Sequence, residues 1–135
     1  MKVIVDTSVW SLAFRRASPG DSTPVRELAE LISELRVQII GPVRQELLSG
    51  IRDRNQFESL RDHLRSFPDL ILTSEDHEYA AEVFNTLRSK GIQASNTDIL
   101  LCSISIRHGM PLFTIDNDFI HIAKHTPLVL HQSRN

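Results

Sequence analysis

Short apolar runs alternate with longer stretches in which apolar residues recur every three or four positions, from one end of the chain to the other. The runs at residues 2–5, 37–40, 70–72, 112–115 and 128–130 are apolar, several of them rich in β-branched residues, and predict short strands. Thr7 or Ser8 is placed to cap a short helix reaching about Phe14. Residues 15–23 carry Pro19-Gly20-Asp21 and predict a loop. Pro24 suits the first turn of a helix whose apolar face is Val25, Leu28, Leu31, Ile32 and Leu35. Pro42 opens a helix bearing Glu46, Leu47 and Leu48 that stops near Gly50. Phe57, Leu60, Leu64 and Phe67 recur at helical spacing until Pro68. Ser74 begins a helix with a Ser-x-x-His start rather than a full capping box. Its face is Tyr79, Ala80, Val83, Phe84 and Leu87, and Gly91 closes it. Residues 97–108 are apolar nearly all round, which predicts a central helix ended by Gly109. A short helix is expected over residues 119–124.

Strands separated by helices predict an α/β fold, a three-layer α/β/α sandwich with a central parallel sheet. The 135 residues suit one domain, 1–135. In such sheets ligands sit beyond the carboxyl ends of the strands. The two strands that open and close the pattern both run into an aspartate there: Val3-Ile4-Val5-Asp6 and Leu112-Phe113-Thr114-Ile115-Asp116. Asp98 falls in the first turn of the apolar helix, and Glu46 lies on the helix after the second strand. Each acid alone has a plainer reading: Asp6 as a helix cap, Asp98 as a partner of the helix dipole, Glu46 as a solvated residue, Asp116-Asn117-Asp118 as a turn. Together, four acids from four distant segments converging on one pocket would repel one another. A hard divalent cation resolves that conflict. Mg²⁺ and Mn²⁺ take oxygen ligands, and a metal so held can polarise a phosphoryl oxygen and activate water.

Charge refines this picture. The net charge of -2 lacks the basic excess of a general nucleic-acid binder. It leaves room for an RNA-cutting enzyme, because acidic ligands lower the net charge while local arginines still hold phosphates. Arg15 and Arg16, expected near the first acid, are the candidate RNA contacts, with Arg52-Asp53-Arg54 beside them. The one cysteine, Cys102, lies in an apolar run and forms no internal disulfide, which points to a reducing, cytoplasmic compartment. No signal-peptide pattern opens the chain, and no apolar run approaches the roughly 20 residues that cross a bilayer.

Four segments resemble the PIN-domain family, and more narrowly the toxin of VapBC-type toxin–antitoxin pairs. Val3-Ile4-Val5-Asp6-Thr7-Ser8-Val9-Trp10 resembles its opening strand and first acid, and Pro42-Val43-Arg44-Gln45-Glu46-Leu47-Leu48-Ser49-Gly50 its second. Asn96-Thr97-Asp98-Ile99-Leu100-Leu101 resembles the third. Leu112-Phe113-Thr114-Ile115-Asp116-Asn117-Asp118-Phe119, followed by Ile122-Ala123, resembles the closing motif. Ile99 departs from the small residue that many members carry after the third acid. The resemblance implies Asp6, Glu46, Asp98 and Asp116 as catalytic acids, with Asp6, Asp98 and Asp116 holding Mg²⁺ or Mn²⁺. Thr114 would orient them, and Asp118 matches the same motif. It also implies single-stranded or looped RNA as substrate, a VapB-type antitoxin as partner and a homodimer. The apolar positions at 57–67 and 79–87 are candidates for the dimer surface.

Other readings are weaker. His121 and His125 share a helix face, but a zinc site needs a third ligand. An aspartyl phosphatase of the haloacid dehalogenase type needs a second Asp two residues after the first, where this chain has Ser8. The alternative within the family is a catalytically silent interaction module, which predicts lost acids; all four are present.

Overall fold

The computed structural model describes residues 1–15 and 22–134. Along the chain the elements are β1 (Val3–Val5), α1 (Thr7–Phe14), α2 (Thr23–Ser33), β2 (Val37–Gln38), α3 (Gly41–Leu48), α4 (Arg54–Leu64), α5 (Ser74–Ser89), α6 (Asn96–His108), β3 (Leu112–Phe113) and α7 (Asn117–Ala123). The three strands form one parallel sheet in the order β2-β1-β3. The central strand β1 is inaccessible to solvent at all three residues. That explains its unbroken Val-Ile-Val run: both faces are covered, so neither needs polar side chains. The chain steps from β1 out to β2, then back across β1 to β3. Helix α1 packs on both α2 and α3, α3 packs on α4, and α5 packs on α6.

Two expected strands shrink to single bridges. Asp69 pairs with Ile39 and Leu130 with Leu112, each at one position. Residues 70–72 form no strand, and Ile71 is 84% exposed. Leu35 does not lie on the apolar face of α2. The helix ends at Ser33, and Leu35 sits in the left-handed region at φ 57°, 83% exposed, while the Arg36 N–H returns to the Leu31 carbonyl at 2.9 Å. That helix ending usually takes glycine. The helix expected to run to Phe67 closes at Leu64. Arg44 reaches across from α3 to take the carbonyls of Leu64 and Phe67 and the Asp69 carboxylate. The positions at 57–67 and 79–87 expected to face a second copy are largely core: Leu64, Val83 and Leu87 are buried, and Leu60, Phe67, Tyr79, Ala80 and Phe84 pack against them.

The start of α5 also differs from expectation. Its N-cap is Thr73, one residue earlier than Ser74, and the capping box is complete: the Asp76 N–H donates to the Thr73 hydroxyl, and the Thr73 N–H donates to the Asp76 carboxylate at 2.9 Å. The box was hidden because its acid is Asp where the usual pattern has Glu or Gln. Asp76 is fully buried and also meets Arg107 at 3.1 Å and His108 at 2.9 Å, locking α5 to the end of α6. This lock matters to the site because α6 carries Asp98.

Two outcomes test this packing. Burial pushes the Asp76 carboxyl up, but the Thr73 N–H and His108 outweigh it and hold it below its ordinary value. A lowered carboxyl contributes stability above the ordinary range near pH ~4 and loses it as pH falls through the lowered value. Asp76→Ala is expected to destabilise the protein by about 3 kcal/mol at neutral pH in urea unfolding, with the gap to wild type closing in acid. Leu35→Gly is expected to stabilise it by about 1 kcal/mol, because the strain at a left-handed leucine is relieved and little packing is lost. A Leu35→Gly protein less stable than wild type would contradict the left-handed turn.

Candidate functional site

Asp6 follows the central strand directly. Its backbone N–H donates to the Phe113 carbonyl at 2.9 Å, which carries the β1–β3 pairing one residue past the strand and sets Asp6 beside Thr114. Both strand-end aspartates therefore stand at one edge of the sheet, as the sequence predicts. The Asp6 side chain, 5% exposed, is gripped from two sides. The Thr114 hydroxyl donates to Oδ2 at 2.8 Å, and the Ser8 hydroxyl donates to the same oxygen at 2.7 Å. Each hydroxyl has one proton. With both protons on Asp6, the 3.3 Å approach of Ser8 to Thr114 is a contact between oxygens rather than a third bond.

The same hydroxyls accept backbone protons. Thr114 takes the Asp116 N–H at 3.0 Å and Ser8 takes the Ile115 N–H at 3.2 Å. That is why β3 ends at Phe113 instead of Ile115: two donors that would extend the ladder are captured by side chains. Asp116 then caps α7, its Oδ1 accepting the Asp118 N–H at 3.0 Å. Asp118 thus enters through its backbone, while its side chain is exposed. On the other flank of β1, the helix after β2 brings up Glu46. The Thr7 hydroxyl donates to its Oε1 at 2.7 Å, joining residues 39 apart in sequence.

Asp98 arrives from α6. The Ser95 hydroxyl caps that helix by accepting the Asp98 N–H at 3.1 Å. Burial comes first, then the like charges of Asp6 and Asp116, with a smaller push from Glu46; against the Ser95 hydrogen bond they drive the Asp98 carboxyl up to about 6. All four predicted acids therefore share one electrostatic neighbourhood. They do not form a closed cage: among the described residues no three acidic, histidine or cysteine side chains stand close enough to hold one ion together. Uncompensated carboxylates in a partly desolvated cleft separate as far as their backbones permit. The donor set is all oxygen, carboxylates backed by hydroxyls, and suits a hard cation that keeps some of its waters. Beside Glu46 opens a cleft of about 480 Å³ lined by Thr7, Pro42, Gln45, Glu46, Ser49 and Thr97.

The candidate RNA contacts fare differently. Arg15 is exposed but follows the far end of α1 from Asp6, about 12 Å of helix away, rather than near the first acid. Arg16 lies outside the described residues. Arg54 is paired with Glu58 at 2.9 Å and lies over the Phe57 ring, and Asp53 caps α4. The rings of His121 and His125 meet edge-on at 5.5 Å, with no third metal-binding group beside them among the described residues.

Residues 3–125 match the PIN domain family. The chain belongs to that family. Among its relatives are VapC ribonuclease Mb1587 of Mycobacterium bovis and ribonuclease VapC11 of Mycobacterium tuberculosis. Each is 32% identical over 130 residues, which cover 93% of this chain and 95% of the relative. Among solved structures it resembles VapBC2 from Rickettsia felis bound to a DNA fragment from their promoter, with a TM-score of 0.79 at 21% identity, covering 97% of this chain and 98% of that one. This PIN domain carries all four acids within the matched residues. No described helix is long and apolar enough to cross a membrane.

Two site residues escape a reading of the PIN-domain sequence. Thr7 and Ser8 are predicted as helix caps, yet the N-cap position is Asp6, without a side-chain cap bond, and both hydroxyls serve carboxylates instead. The signal was present as two hydroxyl residues directly after a strand-end acid. A stability measurement checks the crowding. A carboxyl raised to about 6 makes the folded, metal-free protein lose stability as pH rises from the ordinary value near ~4 to 6, and the loss stays in place above that. Asp98→Asn removes it. The metal-free variant is expected to melt higher than wild type at pH 7.5, by roughly 1–2 kcal/mol, with the difference vanishing toward pH 4.

Proposed function

We propose that this chain is a metal-dependent endoribonuclease, the toxin of a type II toxin–antitoxin pair, whose reaction is phosphodiester hydrolysis in single-stranded or looped RNA. The observation that carries the reading is the hydroxyl-held pair Asp6 and Asp116 at the carboxyl edge of the sheet, with Glu46 bound through Thr7 beside them, in a chain 32% identical to VapC ribonucleases. Asp6, Asp98 and Asp116 would hold Mg²⁺ or Mn²⁺. Such an ion supplies charge stabilisation of the phosphoryl oxygens and a lowered pKa for attacking water.

The chain's own groups divide the remaining work. Ser8 and Thr114 both donate to Oδ2 of Asp6, which orients the carboxylate and would leave Oδ1 open to a cation. Thr114 also sets the distance from Asp6 to Asp116 through the Asp116 N–H. Glu46, held through Oε1 by Thr7, keeps Oε2 to orient the attacking water and accept its proton. Arg15, with Arg16, serves phosphates farther along the strand. The partner is a VapB-type antitoxin that covers this cleft, a basic side chain meeting the acids.

Residues 1–135 are read as one domain, cytoplasmic, with the buried free Cys102 in keeping with a reducing compartment. A homodimer belongs to the same reading. The groove between α5 and α6, lined by His77, Ala80, Phe84, Asn96 and Leu100 among others, offers it a surface.

The test is cleavage of single-stranded RNA by the purified protein. Activity is expected with Mg²⁺ or Mn²⁺ and none with EDTA. Asp6→Asn, Asp98→Asn and Asp116→Asn should each lower the rate at least a hundredfold while remaining folded, because a neutral amide binds a hard cation poorly. Glu46→Gln should retain more activity than these. Cleavage that survives EDTA, or an Asp98→Asn protein that cuts at the wild-type rate, contradicts the mechanism.

A further inference from the structure

The cleft beside Glu46 is lined by groups of a distinctive kind. Among its described lining residues, Thr7, Pro42, Gln45, Glu46, Ser49 and Thr97, there is no lysine, arginine or histidine. A pocket without cations, and with a carboxylate in its wall, repels a phosphate. Among its polar atoms acceptors outnumber donors, the uncommitted donors being the Gln45 amide and the Thr97 hydroxyl. The Thr7 proton is committed to Glu46 Oε1 at 2.7 Å, and the Ser49 proton to the Gln45 carbonyl at 2.7 Å, so both hydroxyl oxygens offer the cleft only lone pairs. The second oxygen of Glu46 receives no hydrogen bond from a described residue, and the exposed Gln45 amide makes none to one. Pro42 adds an apolar wall.

On the ribonuclease reading, the strand threads past the four acids, and this cleft is the hollow next to them. From that juxtaposition we propose that the cleft seats the nucleobase beside the scissile phosphate, and that its surplus of acceptors selects bases bearing an exocyclic amino group over uracil. Unpaired RNA bases can be splayed into such pockets and read along their hydrogen-bonding edges. Adenine, cytosine and guanine each present an amino donor. Uracil presents one N–H between two carbonyls, and those carbonyls would face the lone pairs of Thr7 and Ser49. Gln45 and Thr97 are the adjustable elements, because each can give or take a hydrogen bond, whereas Glu46 and Thr7 serve the chemistry.

The experiment is to cut a pool of randomised single-stranded RNA with the full-length protein and Mg²⁺ and to sequence the new ends. Wild type is expected to show uracil depleted about fivefold at one position flanking the cut, the discrimination one unsatisfied hydrogen bond supplies. Gln45→Glu, which exchanges an amide donor for a second acceptor, should deepen that depletion. Ser49→Ala, which removes an acceptor, should weaken it. Even base usage around the wild-type cut overturns this inference alone. So does an unchanged preference in both folded variants, or variants that lose only inhibition by the antitoxin, which would make the cleft a protein-binding pocket. A wild-type protein that cuts no RNA with either metal overturns the ribonuclease reading itself.

Discussion

Crowding of negative charge at one edge of a small sheet is the constraint on which the rest of this structure depends. A protein's net stability is only about 5–15 kcal/mol, so holding a carboxyl above its ordinary range costs a noticeable share of it even after solvent screening. Asp98 carries that burden, and its causes are its own burial and the charges of Asp6, Asp116 and Glu46. Relaxation is blocked because each acid is anchored by something that cannot move cheaply. Asp6 is the continuation of a fully buried strand, Asp116 caps α7, and Glu46 is held by Thr7. Asp98 rides on α6, which the buried Asp76 clamps to α5 through Arg107 and His108.

The anchoring groups are hydroxyls, and their chemistry explains the choice. A hydroxyl donates one proton and still accepts another, so a single Thr114 or Ser8 can bond a carboxylate and stop a backbone ladder at once. A cationic anchor would have neutralised the acids and removed their affinity for a metal. The arginines nearby are engaged elsewhere: Arg44 ties α3 to the end of α4, and Arg54 pairs with Glu58. Among the described residues no ion pair is made to Asp6, Glu46, Asp98 or Asp116.

Much of this was legible in the residues, and the losses have physical reasons. The two apolar runs ending in Asp6 and Asp116 announced a common edge, because parallel neighbours in register end together. The apolar helix bearing Asp98 is central, with residues 101–105 buried throughout. The runs at 70–72 and 128–130 misled, since three apolar residues suffice to line an edge without making a ladder, and each contributes or adjoins one bridge. Leu35 misled because helical spacing continues past the point where the backbone turns left-handed. Thr7 and Ser8 read as helix caps because hydroxyls after a strand satisfy the capping pattern, whereas the N-cap position falls on Asp6. Only the third dimension shows that Glu46, 39 residues away, receives one of them.

The central claim is that burial, together with the charges of Asp6 and Asp116, makes Asp98 take a proton with unusual ease, and that a divalent cation abolishes this. Its direct measurement is a pH titration of the Asp98 side-chain carboxyl by carbon NMR, with the Asp98→Asn spectrum assigning the signal. Without metal the midpoint should lie near 6, and saturating Mg²⁺ should move it below 4. A metal-free midpoint near the ordinary 3.9, or one that Mg²⁺ leaves in place, would contradict the account.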